Sequence, residues 1–107
     1  MSQKPPIAVV GMAGTFPGAL TLEEYWQNIV DRKDAVLEIP DDRWIPDQYH
    51  PEAIPDRAVS KRACLIRNFK FDPKDFSVDA GLLEALDPLY HLVLHTGREA
   101  LSNVSLT

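Results

Sequence analysis

The stretch from residue 7 to residue 26 constrains the fold more than any other part of the chain. It begins with four apolar residues (7–10), and a run without a polar face is typical of a strand that is buried on both sides of a sheet. A loop with three glycines follows, and a helix is predicted to begin after Thr21. Thr21 and Glu24 have the spacing of a capping box, which satisfies free N–H groups at a helix start. A buried strand, a glycine loop and a capped helix together predict an α/β fold.

The capped helix is predicted to run from Leu22 to about Arg32 and to be amphipathic, with Arg32 and Lys33 in its last turn. Its apolar residues recur at helical spacing on one face: Leu22, Tyr25, Trp26, Ile29 and Val30.

A second long helix is predicted near the end of the chain. Asp87 is the expected N-cap and Pro88 the first helical residue, the positions that each residue type prefers. From Leu89 onward, apolar residues cover more than half of the circumference. A helix that is apolar on most sides belongs inside a protein larger than 107 residues.

The middle of the chain carries weaker signals. Residues 35–39 are predicted as a short strand or an extended run, and residues 62–71 as an extended strand. A proline- and aspartate-rich loop is expected over residues 40–55, with Trp44 and Tyr49 as the side chains that pin it. Residues 80–86 are expected to form one or two helical turns. Three phenylalanines are expected to attach this region to a core: Phe69, Phe71 and Phe76.

Composition narrows the class of protein. The chain has 45% hydrophobic and 25% charged residues, as ordinary globular domains do. A net charge of −5 argues against nucleic acid or an anionic membrane as partners. The single cysteine excludes an internal disulfide and fits a reducing cytoplasm. Residues 1–6 are expected to be an extended leader, since two prolines keep them out of a helix and no signal-peptide pattern is present.

Several short motifs occur along the chain in a recognisable order. They are Ile7-Ala8-Val9-Val10-Gly11-Met12-Ala13, Phe16-Pro17-Gly18, Glu24-Tyr25-Trp26, Asn28-Ile29, Asp34, Ile39-Pro40, Asp42-Arg43-Trp44, Phe71-Asp72, Phe76, Leu86-Asp87-Pro88 and Glu99-Ala100-Leu101. This series resembles the start of the β-ketoacyl synthase domains of polyketide synthases and related multidomain fatty-acid synthases. Asp87-Pro88-Leu89, where many modular synthases have D-P-Q-Q-R, looks closer to iterative, polyunsaturated-fatty-acid-type or glycolipid-type synthases.

The resemblance implies a thiolase-like fold, of which residues 1–107 are the incomplete N-terminal part of one domain. The family makes carbon–carbon bonds by decarboxylative condensation of a cysteine-bound acyl group with a malonyl unit. That unit arrives on the phosphopantetheine arm of an acyl carrier protein, and two histidines stabilise the developing charge. The implied partners are the acyl carrier protein, the remainder of the synthase and, at full length, a second copy.

The catalytic motifs of the family are absent from these 107 residues. The nucleophile belongs to a D-[TS]-A-C-S-S motif, and neither this motif nor the histidine motifs occur here. The sequence therefore predicts no catalytic, cofactor-binding or metal-binding residue in this chain, and no activity of the chain alone. A non-catalytic truncated fragment or interaction piece is the alternative, and a small phosphate- or nucleotide-binding module is a weaker one.

Three residues could carry chemistry of their own. Cys64 lies among apolar residues without a nearby base, which favours an inert, packed thiol. His91 and His95 are four residues apart, as in zinc-binding H-E-x-x-H helices. Leu92 replaces the general-base glutamate, however, and no third ligand is evident, so packing is the favoured interpretation.

The glycine loop and the acidic loop are two further candidate ligand-binding sites. The spacing of Gly11, Gly14 and Gly18 fits neither G-x-G-x-x-G nor the P-loop pattern. The acids Asp41, Asp42 and Asp47 lack the order of a calcium-binding loop. We expect backbone roles for the glycines and solvation for the acids.

Overall fold

The computed structural model describes residues 3–43 and 46–104. Its elements, in chain order, are the helix α1 (Leu22–Val30), the strands β1 (Val36–Glu38) and β2 (Arg62–Cys64), and the helices α2 (Ala80–Glu84) and α3 (Pro88–Ser102). Contacts group the chain into two compact units. We call residues 16–68 the central unit and residues 1–15 with 69–107 the terminal unit.

Helix α1 of the central unit begins as its sequence predicts. The Thr21 hydroxyl accepts a hydrogen bond from the Glu24 N–H at 3.2 Å, which confirms the N-cap. The Glu24 carboxylate reaches back and accepts from the Leu20 N–H at 2.7 Å. The predicted capping box is thus corrected in one detail, because the carboxylate bonds to the residue before the cap. Acidic groups at this helix start also complement the positive end of the helix dipole.

Helix α1 ends at Val30, two residues before the predicted end. Arg32 adopts a left-handed conformation with φ of 54°, and its N–H donates to the Ile29 carbonyl at 3.1 Å. The Lys33 N–H donates to the Asn28 carbonyl at 2.9 Å. This pair of bonds is a Schellman motif, which closes the helix and places both basic residues outside its last turn.

The two strands of the central unit pair antiparallel, with Leu37 opposite Ala63. Strand β1 lies within the predicted residues 35–39, whereas β2 covers only the first three of the ten predicted residues. The loop between them contains two short 3-10 helices, Asp41–Arg43 and Pro46–Gln48. The Lys61 ammonium lies 4.4 Å from the centre of the Tyr49 ring, so Tyr49 does help to hold the loop. Trp44 lies outside the described residues.

The terminal unit contains both of the predicted C-terminal helical segments. The Asp79 carboxylate accepts from the Leu82 N–H at 2.9 Å and caps α2. The Asp87 carboxylate accepts from the Leu89 N–H at 2.8 Å and caps α3, with Pro88 in the first turn. The predicted N-cap and the predicted proline position are both confirmed.

Residues 7–10 do not form the predicted buried strand. They have no regular secondary structure and no backbone–backbone hydrogen bond to another described residue, and Ile7 is 96% exposed and Val9 78% exposed. A strand requires a neighbour to receive its N–H and C=O groups. Among the described residues the only sheet is the β1–β2 pair, which belongs to the central unit. The prediction of a buried strand over residues 7–10 is therefore wrong in this structure, although these residues have the apolar pattern of such a strand.

Helix α3 likewise forms without the burial that its composition predicts. No described residue of α3 is fully buried. Across the described chain, the fully buried apolar residues are Ala19 in the central unit and Leu83 in the terminal unit. Burial depends on neighbouring elements, and those present do not cover this helix.

Candidate functional site

Cys64 lies at the end of β2, opposite Val36, and its side chain is exposed. The prediction that this thiol packs against apolar neighbours is wrong, because successive strand residues alternate between faces and Cys64 occupies the outer one. Its inertness in a longer protein stays a prediction.

His91 and His95 contribute to an aromatic cluster on the inner side of α3. The His91 ring stacks on Phe71 with 4.5 Å between ring centroids, and its Nε2 lies 2.6 Å from the Leu83 carbonyl oxygen. Because a carbonyl only accepts, Nε2 carries the proton in this bond. The His95 ring meets Phe69 edge-on at 5.1 Å. Both imidazoles thus take part in packing contacts.

Metal-ligating side chains do not converge in the part of the chain that the structure describes. Over residues 3–43 and 46–104, no group of three or more histidine, cysteine, aspartate or glutamate side chains is placed to hold an ion. Asp41 and Asp42 lie in an exposed 3-10 helix. Their exposure agrees with the solvated loop expected from the sequence.

Two of the three loop glycines have a backbone explanation. A Cβ at Gly11 would overlap the Ala100 carbonyl oxygen and lie 3.1 Å from a Val104 methyl group. Gly18 has a φ of +73° and completes a tight turn in which the Phe16 and Ala19 backbones exchange two hydrogen bonds. These roles explain the glycines without a bound phosphate.

Arg98 joins α3 to the segment before α2, and sequence reasoning missed it. Its guanidinium donates to the carbonyl oxygens of Asp72 at 3.1 Å and Lys74 at 3.0 Å. It also lies 4.9 Å from the centre of the Phe76 ring. Phe76 in turn contacts Phe71, so the phenylalanines attach this region to the histidines of α3, while the buried core that the prediction assumed is not formed by them. A lone arginine on a helix gives no sequence signal for contacts about 25 residues away.

The central unit also has an open depression of about 300 Å³ beside the start of α1. Its walls are mostly apolar, and Glu24 and Arg67 are its charged lining residues. The Glu24 carboxylate already accepts the Leu20 N–H. The depression therefore lacks a pair of free groups suited to acid–base chemistry.

Exposed apolar side chains are the most prominent surface feature. In the central unit, the outward face of α1 exposes Tyr25, Trp26, Ile29 and Val30. In the terminal unit, α3 exposes four large residues that fall within an arc of about 120° around the helix axis. We call these four the α3 stripe: Leu89, Tyr90, Val93 and Leu101. Exposed apolar side chains that lie together on one helix face are typical of surfaces that contact other protein.

Comparison with known protein families shows to which family the chain belongs. The family described as "Beta-ketoacyl synthase, N-terminal domain" matches residues 4–107, nearly the whole chain. The chain belongs to this family. The resemblance read from the sequence motifs is therefore confirmed.

Relatives of this ketosynthase N-terminal domain are large synthases. It is 33% identical over 97 residues to polyketide synthase PksL of Bacillus subtilis, covering 88% of this chain and 2% of PksL. It is 35% identical over 105 residues to a mycocerosic acid synthase-like polyketide synthase of Mycolicibacterium smegmatis, covering 94% of this chain and 5% of that protein. The chain thus spans only a few per cent of the curated relatives it matches.

A solved structure shows the same fold. The ketosynthase N-terminal domain superposes on the oxazolomycin ketosynthase domain OzmH KS7 of Streptomyces albus with a TM-score of 0.73 and 33% identity. The match covers 89% of this chain and 17% of that one. The predicted fold class, the N-terminal part of a thiolase-like ketosynthase, is confirmed. Affinity to the polyunsaturated-fatty-acid-type subgroup stays a prediction. No helix in the described ranges is long and apolar enough to cross a membrane.

Proposed function

We propose that this chain is the N-terminal structural part of a β-ketoacyl synthase that condenses an acyl thioester with malonyl carrier protein in polyketide or fatty-acid synthesis. The observation that carries the proposal is the family match over residues 4–107, together with the fold shared with a polyketide ketosynthase domain. The 107 residues lack the nucleophile and histidine motifs of the family. The contribution of this chain to the reaction is therefore structural: it forms part of the scaffold of the domain, and other parts of the synthase supply the reacting groups.

The scaffolding contacts lie within the terminal unit. Gly11 allows the chain after residues 7–10 to approach the Ala100 carbonyl closely. The Asn103 side-chain amide donates to the Met12 carbonyl at 2.9 Å on the same part of α3. Arg98 fixes the loop of Asp72 and Lys74 to that helix. Helix α3 thus holds two segments that are far apart in the sequence, as expected of a helix at the centre of a larger domain.

The partners follow from the family and belong to the same proposal. In the complete synthase, an acyl carrier protein brings the malonyl unit on its phosphopantetheine arm, and two synthase copies form a homodimer. We expect the synthase to act in the cytoplasm, because this reducing compartment keeps Cys64, the single cysteine, as a thiol. Neither a nucleic acid nor a membrane is proposed as a partner, because the net charge is −5.

A chimera tests the proposal. Residues 4–107 would replace the matching 17% of the oxazolomycin ketosynthase domain, and condensation of acyl and malonyl carrier proteins would be followed by mass spectrometry. We expect the chimera to form the β-ketoacyl product. The 107-residue chain alone and the ketosynthase domain without its matching part are the controls, and both should form none. A folded but inactive chimera, or product from the chain alone, would contradict the proposal.

A further inference from the structure

We propose that Ser60 is a phosphorylation site for an ATP-dependent serine kinase that selects cationic segments. Ser60 lies in the central unit, in the loop before β2. The inference goes beyond the proposed function and does not rest on it, because it concerns a surface hydroxyl and none of the groups that carry out the condensation.

Residues 57–68 form a cationic segment in an acidic chain. They contain four cationic residues and no aspartate or glutamate, whereas the whole chain has a net charge of −5. The four are Arg57, Lys61, Arg62 and Arg67. Ser60 is the single hydroxyl-bearing residue among them. A kinase with carboxylates in its substrate cleft binds arginine side chains near the target hydroxyl through charge-assisted hydrogen bonds. The segment therefore has the charge that such a cleft selects.

Arg57 is the side chain best placed to contact such a cleft. It precedes Ser60 by three residues, and both side chains are exposed. Among the described residues no ion pair engages Arg57, and the pair that is present joins Lys33 to Asp31. The Arg57 guanidinium can therefore bind kinase carboxylates without first giving up a partner within this chain.

The Ser60 hydroxyl is accessible to a kinase. Its oxygen accepts the Arg62 N–H at 3.1 Å, a bond that leaves its own O–H free to donate. The backbones of Val59 and Ser60 make no backbone–backbone hydrogen bond in the described ranges. The residues on either side, Ala58 and Lys61, take part in three such bonds. Exposed segments held by so few bonds open locally far more readily than a core does.

The phosphoryl transfer uses only the hydroxyl of this chain. The Ser60 oxygen attacks the γ-phosphorus of ATP, the bond from that phosphorus to the β–γ bridging oxygen breaks, and ADP leaves. The hydroxyl proton passes to a carboxylate of the kinase. A phosphoserine carries about −1.5 to −2 charges at neutral pH, so the net charge of residues 57–68 falls from +4 to about +2.

Arg62 is placed to receive the phosphate. Its N–H already points to the Ser60 oxygen, and its side chain lies on the exposed face of the β1–β2 pair. A phosphate oxygen at this N–H would accept a charge-assisted hydrogen bond. Glu38 is exposed and lies opposite Arg62 in the strand register. The modified face is then anionic, because a phosphate and a carboxylate surround a single guanidinium.

Ser77 provides an internal comparison. It is also exposed, and it also follows a cationic residue, Lys74, by three positions. Three acidic residues flank it within five positions: Asp72, Asp75 and Asp79. A cleft lined by carboxylates repels such a segment. The two serines thus share the spacing and exposure, and the charge of their surroundings selects Ser60.

The test is incubation of the 107-residue chain and of the folded chimera with ATP and cyclic-AMP-dependent protein kinase, followed by tandem mass spectrometry. We expect a phosphate on Ser60 in both proteins, and none within residues 4–107 of the Ser60→Ala variants. Arg57→Ala should lower kcat/KM at least about tenfold, because it removes a charge-assisted contact with the kinase. Arg67→Ala is the matched control, since it removes the same charge seven residues after Ser60, and it should leave kcat/KM within about twofold.

Phosphate on Ser77 in place of Ser60 would overturn the argument from charge, and so would equal losses from Arg57→Ala and Arg67→Ala. Modification of the free chain but not of the folded chimera would show that the domain covers Ser60, and would refute the site. The condensing activity of the chimera is measured separately. An active chimera without phosphate on Ser60 contradicts this inference alone, whereas an inactive chimera that is phosphorylated there contradicts the proposed function alone.

Discussion

The purified 107-residue chain should lack a cooperative tertiary fold, and its surface area gives the reason. Its accessible surface is 9198 Å² for a mass of 12.0 kDa. Even two independent compact bodies of half this mass would together expose only about 7,200 Å². The chain thus leaves roughly 2,000 Å² more surface in water than its two units require.

The energetic consequence of this excess is large. If somewhat more than half of the excess is apolar, it corresponds to roughly 25–30 kcal/mol of burial that the chain forgoes. Net stabilities of whole domains are only about 5–15 kcal/mol. Helical segments can persist in such a chain, but fixed side-chain packing cannot. We therefore expect a partly unfolded, molten or aggregated state.

Near-ultraviolet circular dichroism measures this directly, with Trp26 and Trp44 as probes. We expect a weak signal and a broad, non-cooperative change on heating, together with binding of anilinonaphthalene sulfonate to exposed apolar surface. The covalent chimera is the control and should show a sharp transition. A sharp cooperative transition from a monomer of the free chain, with the monomer verified by sedimentation, would refute the reasoning from surface area.

Four further substitutions test the roles of single residues. Cys64→Ala in the chimera should retain acylation by a labelled acyl thioester, and loss of labelling with the fold intact would show that the thiol is needed. Gly11→Val in the chimera should lower stability by about 1–3 kcal/mol, since its side chain must displace the Ala100 carbonyl; an unchanged thermal midpoint would exclude that close contact. Within the free chain, Asp87→Ala should reduce helical circular dichroism at 222 nm through loss of a cap worth about 1 kcal/mol. Gly97→Ala should increase that signal, because open space surrounds this position in α3 and alanine favours a helix by about 1 kcal/mol over glycine. If both variants changed the signal at 222 nm in the same direction, this explanation of the stability of α3 would be contradicted.

The sequence by itself determined where the helices begin and to which family the chain belongs. Thr21 and Asp87 identified the first residues of the two longer helices, α1 and α3, because N-capping depends only on the capping side chain and the few residues that follow it. The end of α1 was less predictable, since the left-handed conformation of Arg32 is rare for a residue with a Cβ. The ordered motifs identified the ketosynthase family, and the absence of the cysteine and histidine motifs predicts that the reacting groups lie outside these residues.

The tertiary structure decided which apolar residues are covered and which distant residues meet. Residues 7–10 have the pattern of a buried strand, yet pattern states only a preference, and burial requires neighbours that the described chain does not supply. The contacts of Arg98 with Asp72 and Lys74 and the approach of Gly11 to Ala100 join segments far apart in sequence. No local signal encodes such contacts, because they arise from the path of the backbone in three dimensions and not from the residues beside each position.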